Sequence, residues 1–388
     1  MPSLRRVSVL CASAALVITL ELVGSPVASA GSSSRVCGPA GADSARCHAQ
    51  VRADRIGNLA STSPTGLDPA TIKSVYGFST SSTAGAGTVI AIVDAYDDPT
   101  AEDDLNVFSA RYGLPACTTA NGCFSKVNQT GGTKYPRADS GWALEISLDV
   151  QWAHAIAPGA KILLVEASSN SFANLLAAED YAKTHAKYVS NSWGGSESSG
   201  ESSYDAHFSE PGVSFFVSSG DAGLPADYPS ASPNVISVGG TTLHFDANGN
   251  FTGETGWSSG GGGCSLYETA TSAQTAFFAQ TAFSGCGTAR ATPDVSLDAD
   301  PASGVSVYDS TRYQGQKGWW TVGGTSASSP MWAGRAAAAA PAGVTVDAAY
   351  VYGTAITFRD ITSGNNGATC LVDYDLCSGR GSWTGATP

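Results

Sequence analysis

A chain of 388 residues with 42% hydrophobic and only 14% charged residues can bury a large core, and it lacks the high charge and low hydrophobicity of a disordered chain. Its formal net charge of −13 argues against a nucleic-acid partner. Such a charge suits work in acid, where many carboxylates are neutral. The N-terminus reads as a secretory signal peptide over residues 1–30: Arg5 and Arg6, an apolar stretch from Val7 to Leu20, and a small-residue cleavage site at Ala28-Ser29-Ala30. Glu21 interrupts the apolar run, which is short for a bilayer span. The expectation is a secreted, extracellular protein that does not stay on a membrane after cleavage. Residues 31–65 are polar and weakly patterned, and they read as a short pro-segment or linker.

From Gly66 the pattern becomes regular. TVIAIVDAY (88–96) is a β-branched apolar run ending near Asp94, and AEDDLNVFSARYG (101–113) looks helical. DSGWALEISLDVQWAHAIAPGA (139–160) carries apolar residues at helical spacing and stops at Pro158-Gly159. KILLVEA (161–167) reads as a buried strand and SFANLLAAEDYAKTHA (171–186) as a helix. YVSNSWGG (188–195), VSFFVSSGD (213–221) and VISVGGTTL (235–243) read as further strands. Short apolar strands alternating with helices predict a doubly wound, mainly parallel sheet with helices on both faces. In such sheets the chemistry sits at the carboxyl ends of the strands. Asp94, Ser192-Trp193, Ser219 to Asp221 and Thr325-Ser326 are therefore expected to converge.

Of nine cysteines, Cys11 lies in the signal. The other eight fall as near neighbours, and an even count in an exported chain favours disulfides. Sequential pairing (37 with 47, 117 with 123, 264 with 286, 370 with 377) is the expectation, although eight cysteines allow 105 connectivities.

The stretch GWWTVGGTSASSP (318–330) looks like a strand turning sharply into a helix at Ser326. A serine there gains from the helix N-terminus, whose free N–H groups can hold an oxyanion. It fits an N-cap equally well. A nucleophilic serine needs a base. His48, His154, His185, His207 and His244 have no context suited to that role. Glu145 and Asp149 share one helix face at i and i+4. Such a pair is ordinarily a solvated surface feature. Here its neighbours are Trp142, Leu144, Ile146, Leu148 and Val150, and carboxylates among apolar residues are costly without a purpose.

The ordered motifs WALEISLDVQWAHAIAPGAKI, SNSWGG, SSGDAG, YPSASPNVISVGGT, PDVSLDADP, GGTSASSP and FRDITSG resemble the sedolisin family, serine-carboxyl peptidases with a subtilisin-like fold. The resemblance covers roughly Gly66 to the C-terminus and implies a peptidase domain over 66–388. It implies Ser326 as nucleophile, Glu145 as general base, Asp149 as the acid orienting it, and Asp221 as a protonated oxyanion-hole aspartate. Asp94 and Trp193 fall at supporting positions around these groups. It also implies one calcium ion, held by Asp360 and the Ile361 carbonyl in RDITSG and by LVDYDLCSGRG. In the latter Asp375 matches a ligand, and Leu371 and Asp373 replace glycines. Asp298 and Asp300 are a competing calcium pair. The implied activity is that of a monomeric, acid-acting endopeptidase on protein or peptide substrates, with tripeptidyl-peptidase action as a variant. The segment before Gly66 is far shorter than the family's prodomain. A catalytically inactive, secreted binding relative is therefore an alternative, and a conventional hydrolase using His154 is a remoter one.

Overall fold

The computed structural model describes residues 32–53, 58–353 and 356–385. The signal peptide read over residues 1–30 lies outside the described residues. At the centre is a sheet whose strands run, in spatial order, Phe251–Gly256, Ile236–Phe245, Ser214–Ser218, Tyr188–Asn191, Val89–Ala95, Lys161–Ala167 and Phe124–Asn128; Val295–Asp298 also pairs with Ile236–Phe245. All these pairings are parallel except the hairpin of Ile236–Phe245 with Phe251–Gly256. The inner strands are buried on both faces, which is why VIAIVDA and KILLVEA read as continuous apolar runs. This is the α/β architecture expected from the alternating pattern.

From Val89–Ala95 the chain crosses to the edge strand Phe124–Asn128, returns through Lys161–Ala167 and then passes to Tyr188–Asn191 on the other side of Val89–Ala95. A crevice at such a reversal is where doubly wound sheets hold their chemistry. The stretch 188–195 is not one strand. It breaks at Ser192, and Trp193–Ser196 turns off to pair with Asp227–Tyr228 and with Arg46–Cys47. A separate antiparallel sheet is built on the hairpin of Val305–Tyr313 with Gln316–Gly323, and the second strand of this hairpin leads straight into helix Thr325–Ala339.

Two helices frame the crevice. Ser140–Ile156 starts at Asp139, whose carboxylate accepts the N–H groups of Gly141 and Trp142. It is buried from Gly141 to its end, so it has no solvated face. Helix Thr325–Ala339 packs close to it at Gly334, where a Cβ would lie 2.9 Å from the Cβ of Ile156.

The four expected disulfides form: Cys37–Cys47, Cys117–Cys123, Cys264–Cys286 and Cys370–Cys377. Residues 32–53 belong to the same compact unit as the rest of the described chain. Ser33–Arg35 pairs with Gln50–Arg52, which pairs in turn with the Gln316–Gly323 strand. Ala45, Cys47, Ala49 and Val51 are buried in the core.

Candidate active site

A helix without a solvated face makes every polar side chain on it informative. On Ser140–Ile156, Ser147 donates to Asp98, Gln151 bonds both backbone groups of Tyr308, and His154 Nε2 lies 2.9 Å from the carbonyl of Pro115. These three are structural, and His154 is engaged away from Ser326. Glu145 and Asp149 differ. Both are fully buried; Glu145 Oε1 and both oxygens of Asp149 have no hydrogen-bond partner among the described residues. Unpaired buried carboxylate oxygens are expensive, so this pair is retained at a cost.

Asp94, at the end of its strand, joins them, fully buried with both oxygens unpartnered. Burial, and then the charge of Glu145, hold the Asp94 carboxyl well above the usual range. Burial, then Asp149, raise Glu145, with the nearby Ser326 hydroxyl and the Ala49 amide acting in the opposite sense. Burial, then Asp94, raise Asp149. The three groups form one electrostatically linked set in which protons are favoured.

Ser326 is not the N-cap. Gly324 holds that position with φ +95°, a left-handed conformation that favours glycine, and Ser326 lies within the first turn. Its hydroxyl donates to the Ser192 carbonyl at 3.3 Å. Asp221 sits across the turn, buried. Its Oδ1 accepts the Thr325 N–H at 2.8 Å and the Thr325 hydroxyl at 2.9 Å, and its Oδ2 accepts Gln50 Nε2 at 3.0 Å. Burial pushes its carboxyl up to about 6 against the pull of these donors. The strand ends expected to converge do so: Trp193 Nε1 donates to Val93 O, and Gly220 N donates to Thr325 Oγ1. Trp193 is a buried wall of this site, packed near Phe172 and Phe208.

Sequence reasoning did not place His48, Ala49 and Gln50 here. His48 N–H donates to Ser192 O at 3.1 Å, and Ala49 N–H donates to Glu145 Oε2 at 3.0 Å. A methyl group on Gly324 would stand 1.9 Å from the His48 carbonyl oxygen and 2.8 Å from Asp221 Oδ2. The segment therefore lies in the crevice with a peptide bond between the Gly324–Ser326 turn and Glu145. Its small and polar residues gave only a weak pattern. The alternation of buried Ala45, Cys47, Ala49 and Val51 was the available cue.

The calcium residues read from the sequence divide. The Asp375 carboxylate accepts N–H groups of Leu371, Cys377 and Ser378, so its oxygens are occupied within its own loop. Asp360 is exposed, accepts the Asp373 N–H at 3.0 Å and is raised first by burial; the Asp373 charge also acts on it. The contact brings the Asp373 backbone to Asp360, and carboxylate oxygens of this kind are the donors a hard cation takes. Asp298 and Asp300 are structural, bonding Ser303, Ala302 and Thr242. The structure also gathers Asp98, Asp104 and Asp309, with carboxylate oxygens within 4.8 Å of one another, a cluster with no sequence signature because Asp309 comes from a distant strand. Asp98 and Asp104 are already bonded by Thr100, Thr311, Ser147 and Ser310.

The subtilase family model matches residues 123–344. Kumamolisin from Bacillus sp. (strain MN-32) is 30% identical over 364 residues, covering 83% of this chain and 63% of kumamolisin. Sedolisin from Pseudomonas sp. (strain 101) is 28% identical over 357 residues, covering 80% and 57%. The chain thus spans about three-fifths of the length of these curated relatives. Among solved structures, Pseudomonas sedolisin, a serine-carboxyl proteinase complexed with pseudo-iodotyrostatin, matches with a TM-score of 0.69 at 28% identity, over 83% of this chain and 96% of that one. Sphericase, at 20% identity and a TM-score of 0.51 over 84% of this chain and 99% of its own, shares the fold.

Proposed function

The chain belongs to the subtilase family, with sedolisin-type serine peptidases as relatives, and from that premise we propose that it is a secreted, acid-acting serine-carboxyl endopeptidase. The observation that carries this reading is the placement of a peptide N–H on Glu145 while the preceding carbonyl lies against Gly324, on the side of that glycine where Asp221 also stands. In the proposed reaction Ser326 Oγ attacks the substrate carbonyl and Glu145 takes its proton. Asp149 orients Glu145, and Asp94 supports the same carboxyl set. Glu145 then returns the proton to the leaving nitrogen, and water releases the acyl group from Ser326.

Asp221 must be protonated to donate to the developing oxyanion. Its carboxyl, pushed up to about 6, meets that condition in acid. A single negative charge among Glu145, Asp149 and Asp94 is tolerable when its neighbours keep their protons. Acid operation thus follows from two separate parts of the site.

Calcium, when bound, would brace the C-terminal loop through charge neutralisation. Asp360 and Asp373 would hold it with the Ile361 carbonyl, and Asp375 would fix the loop. Protein or peptide substrates are the proposed partners, and the proposed working state is a secreted monomer with residues 1–30 removed. Among the described residues no helix is long and apolar enough to cross a membrane. The segment filling the crevice also favours a second reading, an inactive secreted binding protein. Casein hydrolysis in acid by wild type, with loss in Ser326→Ala and Glu145→Gln, is the expected result. Inactive wild type would favour the second reading, and activity surviving in Glu145→Gln would sink the proposed base.

A further inference from the structure

The segment Arg46–Arg52 marks how a peptide lies in this crevice and which side chain the crevice receives. On one wall Arg46 pairs with Gly194 and Cys47 with Trp193, antiparallel. On the other, Gln50 pairs with Gly323 and Val51 with Val322. Between the walls, one oxygen, Ser192 O, accepts both the His48 N–H and the Ser326 hydroxyl. The His48 carbonyl lies against Gly324, on the side of that glycine where Asp221 also stands, and the next N–H sits on Glu145. That is the arrangement of a bond presented for cleavage, so the His48 side chain occupies the pocket for the residue preceding the cut.

The pocket is specific in shape and polarity. His48 Nδ1 lies 2.7 Å from Ser218 Oγ, and Nε2 lies 3.8 Å from Asp227 Oδ2. Gly194 makes room for the ring: a Cβ there would stand 2.9 Å from His48 Cε1 and 3.3 Å from Nε2. The hydroxyl bonds one nitrogen of the planar ring, and the carboxyl stands beyond hydrogen-bond distance of the other, which has no hydrogen-bond partner among the described residues. An aliphatic side chain would leave the buried Ser218 hydroxyl without that partner, and a site with such a buried polar group discriminates by a factor of about ten or more. Asp227 is held in place by antiparallel pairing of Asp227–Tyr228 with the Gly195 and Ser196 backbone.

We propose that Ser218, Asp227 and Gly194 form a specificity pocket for histidine, so that this peptidase cuts histidyl peptide bonds, with His48–Ala49 the bond presented within the chain itself. The proposal rests on the peptidase reading above. In the step at His48, Ser326 Oγ forms an ester with the His48 carbonyl carbon as its proton passes to Glu145. The His48–Ala49 C–N bond breaks, and Ala49 N leaves with the proton from Glu145. Water then hydrolyses the ester, giving a His48 carboxylate and restoring the Ser326 hydroxyl.

The test follows the purified chain in acid by mass spectrometry, with casein hydrolysis measured beside it. The expected product begins at Ala49, is absent in Ser326→Ala, and forms at least about tenfold more slowly in His48→Leu. Peptides differing only before the cut bond provide a second readout that does not depend on how the His48 variant folds. Histidine is expected to exceed leucine, arginine and glutamate in kcat/KM by about tenfold or more, and Ser218→Ala with Asp227→Ala to narrow that ratio below about threefold. Casein hydrolysis without a histidine preference, or a cut elsewhere that is indifferent to His48, overturns the specificity alone. Failure to hydrolyse casein or any peptide overturns the peptidase reading and this proposal with it.

Discussion

Ser192 and Ser326 hold one another by reciprocal bonds. The Ser326 hydroxyl donates to the Ser192 carbonyl at 3.3 Å, and the Ser192 hydroxyl donates to the Ser326 carbonyl at 3.4 Å. Pro330 accounts for the second bond. It sits four residues into the helix from Ser326 and has no N–H, so the Ser326 carbonyl lacks its helical donor. The Ser192 hydroxyl supplies the missing donor, which ties the Ser326 turn to the end of a central strand.

Ser192→Ala should therefore loosen the turn without dismantling the site. A loss of about 1 kcal/mol in stability is expected from the unpaired carbonyl, with a several-fold fall in kcat and little change in KM. Thermal melts and steady-state kinetics read the two effects. A wild-type kcat would show that the bond has no part in positioning Ser326.

On the proposed mechanism Asp221 should set the upper limb of the pH profile. Its carboxyl, raised to about 6, donates only while protonated, so kcat/KM should fall as pH rises through about 6. Asp221→Asn keeps a donor that does not titrate. Its rate in acid should be reduced, yet the fall through that region should flatten. Asp221→Ala should cost about a hundredfold or more in kcat. An Asn variant that keeps the wild-type limb would place the titration elsewhere.

Stability should follow the same direction for a different reason. Burial raises Asp98 to about 6, Glu179 to about 8, and Glu166 and Asp309 to about 9. Between the ordinary carboxyl range near 4 and these values, the folded chain binds more protons than the unfolded one. Stability then falls as pH rises, because the slope has the sign of unfolded minus folded protons. Each such group contributes up to about 1.4 kcal/mol per pH unit within its window. The melting temperature should be highest in mild acid and decline steadily toward pH 8. A melting temperature that rises from pH 4 to pH 8 would contradict the protonated core.

The sequence was legible where one physical rule dominated. Parallel strands buried on both faces, such as Val89–Ala95, announce themselves as apolar runs. Glu145 and Asp149 stood out because apolar neighbours made two acids costly. Ser326 was ambiguous locally, since the turn residue that decides it, Gly324 with positive φ, looks like any glycine in a string. The Ser192 break was hidden because Tyr188, Val189 and Trp193 favour strand on either side of it. Residues 44–53 were the largest gap: beyond Ser33–Arg35 and Cys37, their partners include Trp193, Gly194, Gly323, Glu145 and Asp221, which are over 90 residues away in the chain. No local pattern encodes pairing at that distance.

His154 separates the two possible bases. It lies on the same buried helix as Glu145, but its Nε2 faces Pro115 O beside the Cys117–Cys123 region. His154→Ala should lower the melting temperature by a few degrees, through a lost packing group, and leave the pH profile of kcat/KM unshifted. A shifted profile would mean that histidine takes part in proton transfer.

Glu145 and Ser326 should behave as one unit. If Glu145 accepts the Ser326 proton, removing either group removes the same step. Ser326→Ala and Glu145→Gln should each lower kcat by about a thousandfold or more, and the double variant should be no worse than the weaker single. Asp149→Asn tests the next link. It keeps the size of the side chain but cannot share a proton as a carboxyl does, so a smaller loss, with the acid limb of the profile displaced, is expected. Multiplying losses in the Ser326→Ala, Glu145→Gln double variant would show that the two groups act in separate steps. Glu145 would then be a buried structural acid, and the Ala49 N–H on its carboxylate only a means of satisfying it.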